Sequence, residues 1–362
     1  MPEKTLSYDK LNFQKPQVNL VRSTPRRMRL VSLCAFMAVV QSSLTDNFSS
    51  LIIALSAVLA AVLTEFFILH NRGRAFYLKD GSAVASALVF ALLLPNKISP
   101  VCAVAGAAFA IAVVKHSFGG LGSNWLNPAV GGWLFTRLSW PAAFSSALEG
   151  SPLSLLAGSL AKGFASPQGS PLEILKMHSV GLFAVPSNID SLVRSFFNTF
   201  VFSITSAELP GGYIDLFASP GPGIIADRGV LALLLGTIII TASQVSRAWV
   251  PAAWLAIFSF LVRMAGALPY GGGWWGGDVL FTFCSGGTLA AAFLLSADPA
   301  TSAKSGPGVL LAALAGGGIA FLFRYPGDEP YGAIFAAALV NAALPLVRHF
   351  ESRQFYEKRR NP

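Results

Sequence analysis

Two short stretches carry the residue types that could do chemistry. The first is Gly119-Gly-Leu-Gly-Ser-Asn124-Trp-Leu-Asn127-Pro128. Its glycines permit positive φ and close backbone approach, and Asn124 and Asn127 bring two hydrogen-bonding amides to the end of an apolar run. Pro128 suits the first turn of a following helix, where a missing N–H costs nothing. Two readings stay open: a helix cap with a tight turn, or a polar lining that dips into the bilayer and must be satisfied there. The second stretch is Asp298-Pro299-Ala300-Thr301-Ser302. A carboxylate and hydroxyls beside a proline can cap the next helix, or hold a cation or the polar groups of a flavin. We expect Asn124, Asn127, Asp298 and Thr301 to line one polar site. The remaining candidates say less. Cys34, Cys102 and Cys284 stand singly in apolar runs, without CxxC or a Cys/His cluster, so they read as buried small hydrophobes and no metal site is expected. His70, His116 and His349 fall at span boundaries and read as interfacial, Asp80 as a plain cap. The sequence has no P-loop, GxGxxG or nucleophile elbow.

The elements that position these residues are set by the solvent. The chain has 362 residues, 54% hydrophobic and only 12% charged, with mean hydropathy +0.60. Soluble domains carry roughly a quarter charged residues, so the bilayer is the expected surrounding. The net charge of +9 is not a nucleic-acid signal, because twelve of the 26 Lys and Arg lie in the first 29 and last 15 residues. That is a polybasic membrane edge. The basic leading segment is too long and too charged for a signal-peptide n-region. About ten spans can be drawn at the length a bilayer requires: 28–45, 50–70, 82–95, 100–115, 126–140, 229–243, 249–265, 279–296, 308–323 and 331–348. Continuous Ala/Leu-rich runs without period-2 alternation favour helices over barrel strands.

Several spans are short and bounded by Pro or Gly, the pattern of broken helices around a midplane site. The positive-inside rule puts both termini in the cytoplasm and 141–228 outside, with Lys97, Arg137 and Arg324 as a minority on the wrong side. Ser86–Trp133 and Gly287–Asn341 share an order of apolar runs and Pro- or Gly-containing turns. Five spans per half would make the halves inverted repeats. The expected fold is an all-α polytopic membrane protein of about ten transmembrane helices in two inverted five-helix repeats. Its parts are a cytoplasmic basic segment (1–27), a first repeat (28–140), an external loop (141–228), a second repeat (229–348) and a cytoplasmic basic tail (349–362). On these features alone the chain reads as a stand-alone inverted-repeat transporter or channel.

Four stretches together carry a resemblance: GSAVASALVFALLLP (81–95), KHSFGGLGSNWLNPA (115–129), CSGGTLAAAFLLSADPATS (284–302) and PYGAIFAAALVNAALPLV (330–347). They resemble the D component of the Rnf electron-transport complex and its relative, the B component of the sodium-pumping NADH:quinone reductase. The resemblance covers nearly all of 20–350. It implies a ten-span subunit of the bacterial inner membrane that works with the other Rnf subunits and moves electrons coupled to Na⁺ or H⁺ transport. It further implies FMN joined through phosphate to a hydroxyl residue of an external loop, and leaves riboflavin as a second flavin to consider. The matching stretch is Pro167-Gln168-Gly169-Ser170-Pro171-Leu172, so Ser170 stands where the family has threonine. Near the sixth span, Gly223-Ile-Ile-Ala-Asp227-Arg228-Gly229 keeps the family's acid and lacks its hydroxyls. A flavin-less structural membrane subunit is the remaining alternative.

Overall fold

A computed structural model describes residues 24–148, 188–202 and 223–360, with Ile214 and Phe217, apart from short gaps at 45, 74–79, 118, 121, 123, 244, 246, 271–272 and 299. Ser170 lies outside the described residues, as do 1–23 and most of the 141–228 segment. In chain order the helices are α1 (Thr24–Ser43), α2 (Ser49–Asn71), α3 (Ser82–Leu92), α4 (Pro100–Phe109), α5 (Pro128–Ser139), α6 (Pro141–Leu148) and α7 (Asn188–Phe200). There follow α8 (Ile225–Arg228), α9 (Val230–Ala242), α10 (Trp249–Ala265), α11 (Val279–Phe283), α12 (Thr288–Ala290), α13 (Gly306–Arg324) and α14 (Gly332–Arg360). Two of them widen into π-turns, α4 over Ala110–Lys115 and α12 over Ala291–Leu295. β-structure among the described residues is one isolated bridge, Pro95 to Ile224.

The helix starts follow local chemistry. Ser99, Asn127 and Ser305 each cap a helix that has proline in its first turn, and each side chain accepts a backbone N–H of that turn. Asp278 does the same for α11, accepting from Phe281 N at 3.0 Å. Asp80 is the expected cap: its Oδ1 takes both the N–H and the hydroxyl of Ser82.

Among the described residues, three helices are long and apolar enough to cross a membrane: Ser49–Asn71, Gly306–Arg324 and Gly332–Arg353. Shorter apolar helices run beside them, at Ser82–Leu92, Pro100–Lys115, Val230–Ala242 and Trp249–Ala265. Large apolar side chains cover the outer walls, among them Leu55, Leu59 and Phe67 on α2 and Leu231 and Ile238 on α9. Such walls are stable in lipid and costly in water. The described residues are those of a helical membrane protein. Small residues let its helices close up: a Cβ on Gly236 would come within 2.7 Å of Cys34 Cβ, where α1 crosses α9.

The run 279–296 expected as one span is two helical pieces, parted by the turn Cys284–Gly287. Gly286 (φ 66°) and Gly287 (φ 68°) lie in the left-handed region that L side chains resist. α14 does not stop at the expected end of the last span, residue 348, but continues to Arg360 through Pro345. Its reach has a use. Glu351 accepts the N–H groups of Lys304 and Ser305, each at 3.0 Å, and Arg348 donates to the carbonyls of Ala300 and Ser302. The segment that follows Asp298 is thereby held against α14.

Candidate functional site

The two sequence stretches meet. Asn127 Nδ2 donates to Asp298 Oδ2 at 2.9 Å across a separation of 171 residues, while Asn127 Oδ1 accepts Ala129 N at 2.9 Å. One side chain therefore caps α5 and bridges to the second half. Asp298 also accepts Ala300 N at 3.0 Å and the Thr301 hydroxyl at 3.2 Å. Around this contact lies a cavity walled by Arg27, Lys115, Asn124, Asn127, Phe293 and Asp298. Val31, Val89 and Ile240 supply apolar surface. Asn124 is 2% exposed, and its Oδ1 has no hydrogen-bond partner among the described residues. A buried carbonyl oxygen left unpaired costs about 1–3 kcal/mol, which a bound donor would recover. Thr301 reaches Asp298 but sits in the wall of a second, smaller pocket with Trp254 and Asn341. Of the four expected residues, three line the cavity and the fourth holds one of them.

Lys115 and His116 are a correction. His116 reads as interfacial and Lys115 as the end of the span 100–115, yet Lys115 is 1% exposed and His116 6%. Lys115 Nζ donates to Glu65 Oε1 and to Ser82 Oγ, both at 2.5 Å, and His116 Nε2 lies 3.3 Å from the same Glu65 oxygen. An unpaired charge in a low-dielectric interior is prohibitive, so burying the lysine requires Glu65. A signal was present: Glu65 is the one acidic residue in the apolar run 49–71, and an ionisable group inside a span marks a partner or a site.

Two of the three basic residues expected on the wrong side, Arg324 and Arg137, have partners in the fold. Arg324 is buried, and its guanidinium donates to the carbonyls of Thr282 (3.1 Å) and Ser285 (2.9 Å) and to the hydroxyls of Thr288 and Ser285. Asp227 accepts the N–H groups of Gly286 (2.9 Å) and Gly287 (2.8 Å). Together they satisfy the backbone that the break between α11 and α12 leaves unpaired. Arg137 lies 3.7 Å from Glu329 and 5.3 Å above the Phe144 ring. Cys34, Cys102 and Cys284 are buried and free, as expected of small hydrophobes.

Broken helices, lipid-facing walls and a polar cavity between the two halves of the chain define an α-helical membrane protein with an internal polar site. Comparison narrows the class to a family. The model of the NQR2, RnfD, RnfE family matches residues 12–357, and the chain belongs to this family. The chain is 27% identical over 341 residues to the D component of the proton-translocating ferredoxin:NAD(+) oxidoreductase complex of Clostridium ljungdahlii, covering 92% of each chain. It is 29% identical to the D component of the ion-translocating oxidoreductase complex of Shewanella denitrificans, covering 95% of this chain and 97% of that one. Against the D component of the Na(+)-translocating ferredoxin:NAD(+) oxidoreductase complex of Acetobacterium woodii the identity is 27%, over 94% of this chain and 93% of the other.

Proposed function

We propose that the chain is a membrane subunit of an ion-translocating, Rnf-type electron-transport complex. It carries electrons through flavin and couples their passage to Na⁺ or H⁺ transport. It acts as one member of a translocase-class oxidoreductase, among the other subunits and membrane lipids, and not alone. The observation that carries this reading is the contact of Asn127 with Asp298 in the cavity between the halves, in a chain of this family.

The cavity fits the ring of a flavin. Asn124 offers its free amide oxygen to the imide edge, the Asn127–Asp298 pair borders it, and Phe293, Val31 and Val89 supply apolar surface. The unpartnered Asn124 Oδ1 is the specific sign that a donor belongs there. A flavin bound there would supply reversible electron transfer, and riboflavin satisfies the same contacts as FMN. Thr301 holds Asp298 in place. A second flavin, FMN esterified through phosphate to Ser170, belongs to the loop 141–228.

The arrangement in the membrane is about ten spans in two inverted five-helix repeats, 28–140 and 229–348, with basic segments 1–27 and 349–362 in the cytoplasm of a bacterial cell and 141–228 outside its inner membrane. A correspondence between halves supports the repeat. Lys115 ends the α4 run and bonds the hydroxyl of Ser82, beside Gly81 in the left-handed region (φ 72°). Arg324 ends α13 and bonds the hydroxyl of Thr288, beside Gly287 (φ 68°).

Absorption spectra of the purified chain test the function. A flavin spectrum is expected; a colourless parent from its native host would favour the flavin-less alternative. In-gel fluorescence of the denatured chain, made with its native flavin transferase, tests Ser170. Fluorescence in the parent and none in Ser170→Ala would place the ester bond there.

A further inference from the structure

The two halves present a cation at matching places, and the two cations differ in kind. Arg324 is surrounded by carbonyls and hydroxyls, and a guanidinium does not give up its proton. Its counterpart is a lysine, whose ammonium can. Lys115 is bonded to a carboxylate that also holds an imidazole, and it stands in the wall of the cavity. The second half closes its helix end with that fixed cation and the Asp227 carboxylate, which accepts backbone N–H groups. In the first half a buried carboxylate, Glu65, pairs with the cation itself and also meets a buried imidazole, His116.

The backbone is adapted to the arrangement. Consecutive residues on an α-helix point about 100° apart, yet Lys115 and His116 reach the same oxygen of Glu65. They sit at the end of the π-turn Ala110–Lys115, and such turns gather at functional sites.

We propose that His116, Glu65 and Lys115 form a proton relay that serves the ligand of the cavity; this rests on the flavin reading above. With flavin bound in the cavity, Lys115 would supply from Nζ the proton that accompanies the flavin's two-electron reduction by a ferredoxin- or nicotinamide-level donor of the complex. One N–H bond breaks on the lysine, one forms on the ligand, and the lysine is left a neutral amine. His116, as imidazolium, protonates the Glu65 carboxylate, and Glu65 passes that proton to the amine, which restores the ion pair. His116 regains its proton from the inner aqueous side. One proton enters per cycle, and no electron passes through the relay. Besides His116, the charged groups facing Lys115 are Glu65 from α2, Asp80 at the cap of α3 through Ser82, Arg27 from α1 and Asp298 from the second half.

The test is Lys115→Arg in the assembled complex, which keeps the charge and the ion pair but removes the transferable proton. Flavin content is read first, and a parent without a non-covalent flavin overturns the flavin reading and the relay together. With flavin present, the rate of proton uptake on flavin reduction is followed in parent and variant by indicator dye. The expected result is parental flavin content with proton uptake slowed at least tenfold. A parental uptake rate in Lys115→Arg would make the cluster a structural ion pair and overturn the relay alone. Should that variant not assemble, His116→Gln decides by the same readout.

Discussion

Asn127 shows how much one side chain can be asked to do. Its Oδ1 caps α5 and its Nδ2 holds Asp298, so a loss of function in Asn127→Ala would confound two effects. Serine separates them, because a serine hydroxyl is as good an N-cap as the asparagine amide and too short to reach Asp298. Asn127→Ser should therefore melt near the parent while its non-covalent flavin content falls several-fold. Asn127→Ala should lose the flavin and about 1 kcal/mol of stability as well. Thermal unfolding in detergent and the flavin absorbance of the purified chain read the two effects. Equal flavin content in parent and serine variant would leave Asn127 a cap alone.

At the level of elements the decisive feature is the break between α11 and α12. Two left-handed glycines turn the chain within the helical packing, and the polar groups they expose are answered by Asp227 from one side and Arg324 from the other. Each buried acceptor deprived of its donor costs about 1–3 kcal/mol. Arg324→Met should accordingly take the guanidinium's donors from the carbonyls of Thr282 and Ser285 and from the hydroxyls of Ser285 and Thr288, and sharply reduce the protein recovered in the membrane. Arg324→Lys, which keeps a donor but cannot reach every partner, should fall between. Quantitative blotting of membrane fractions measures both, and parental recovery of Arg324→Met would mean that the break is satisfied some other way.

For the whole molecule, orientation is the property on which the rest depends. Lys and Arg cluster from Arg22 to Arg29 and from Arg348 to Arg360, which the positive-inside rule assigns to the inner edge. A cysteine at Ser166 should react with an impermeant maleimide in intact cells, and one at Ser352 should react only after the membrane is opened. The reverse labelling would invert the protein and move the Ser170 loop to the cytoplasm. Much of this architecture is legible in the sequence alone. Hydropathy and charge placement are sums over neighbouring residues, so they report a lipid-solvated helical chain without any knowledge of contacts. Caps are equally local, which is why Ser99-Pro100 and Asn127-Pro128 mark helix starts that the structure contains. Asn124, Asn127 and Asp298 stood out because their amides and carboxylate interrupt apolar runs. What the sequence could not state is which polar groups leave water together. Lys115 reads as an ordinary boundary lysine until Glu65, fifty residues earlier, is found against it. Arg324 likewise reads as a misplaced positive charge until the broken helix is folded around it. Desolvation and pairing belong to contacts between distant parts of the chain, and only the tertiary structure decides them.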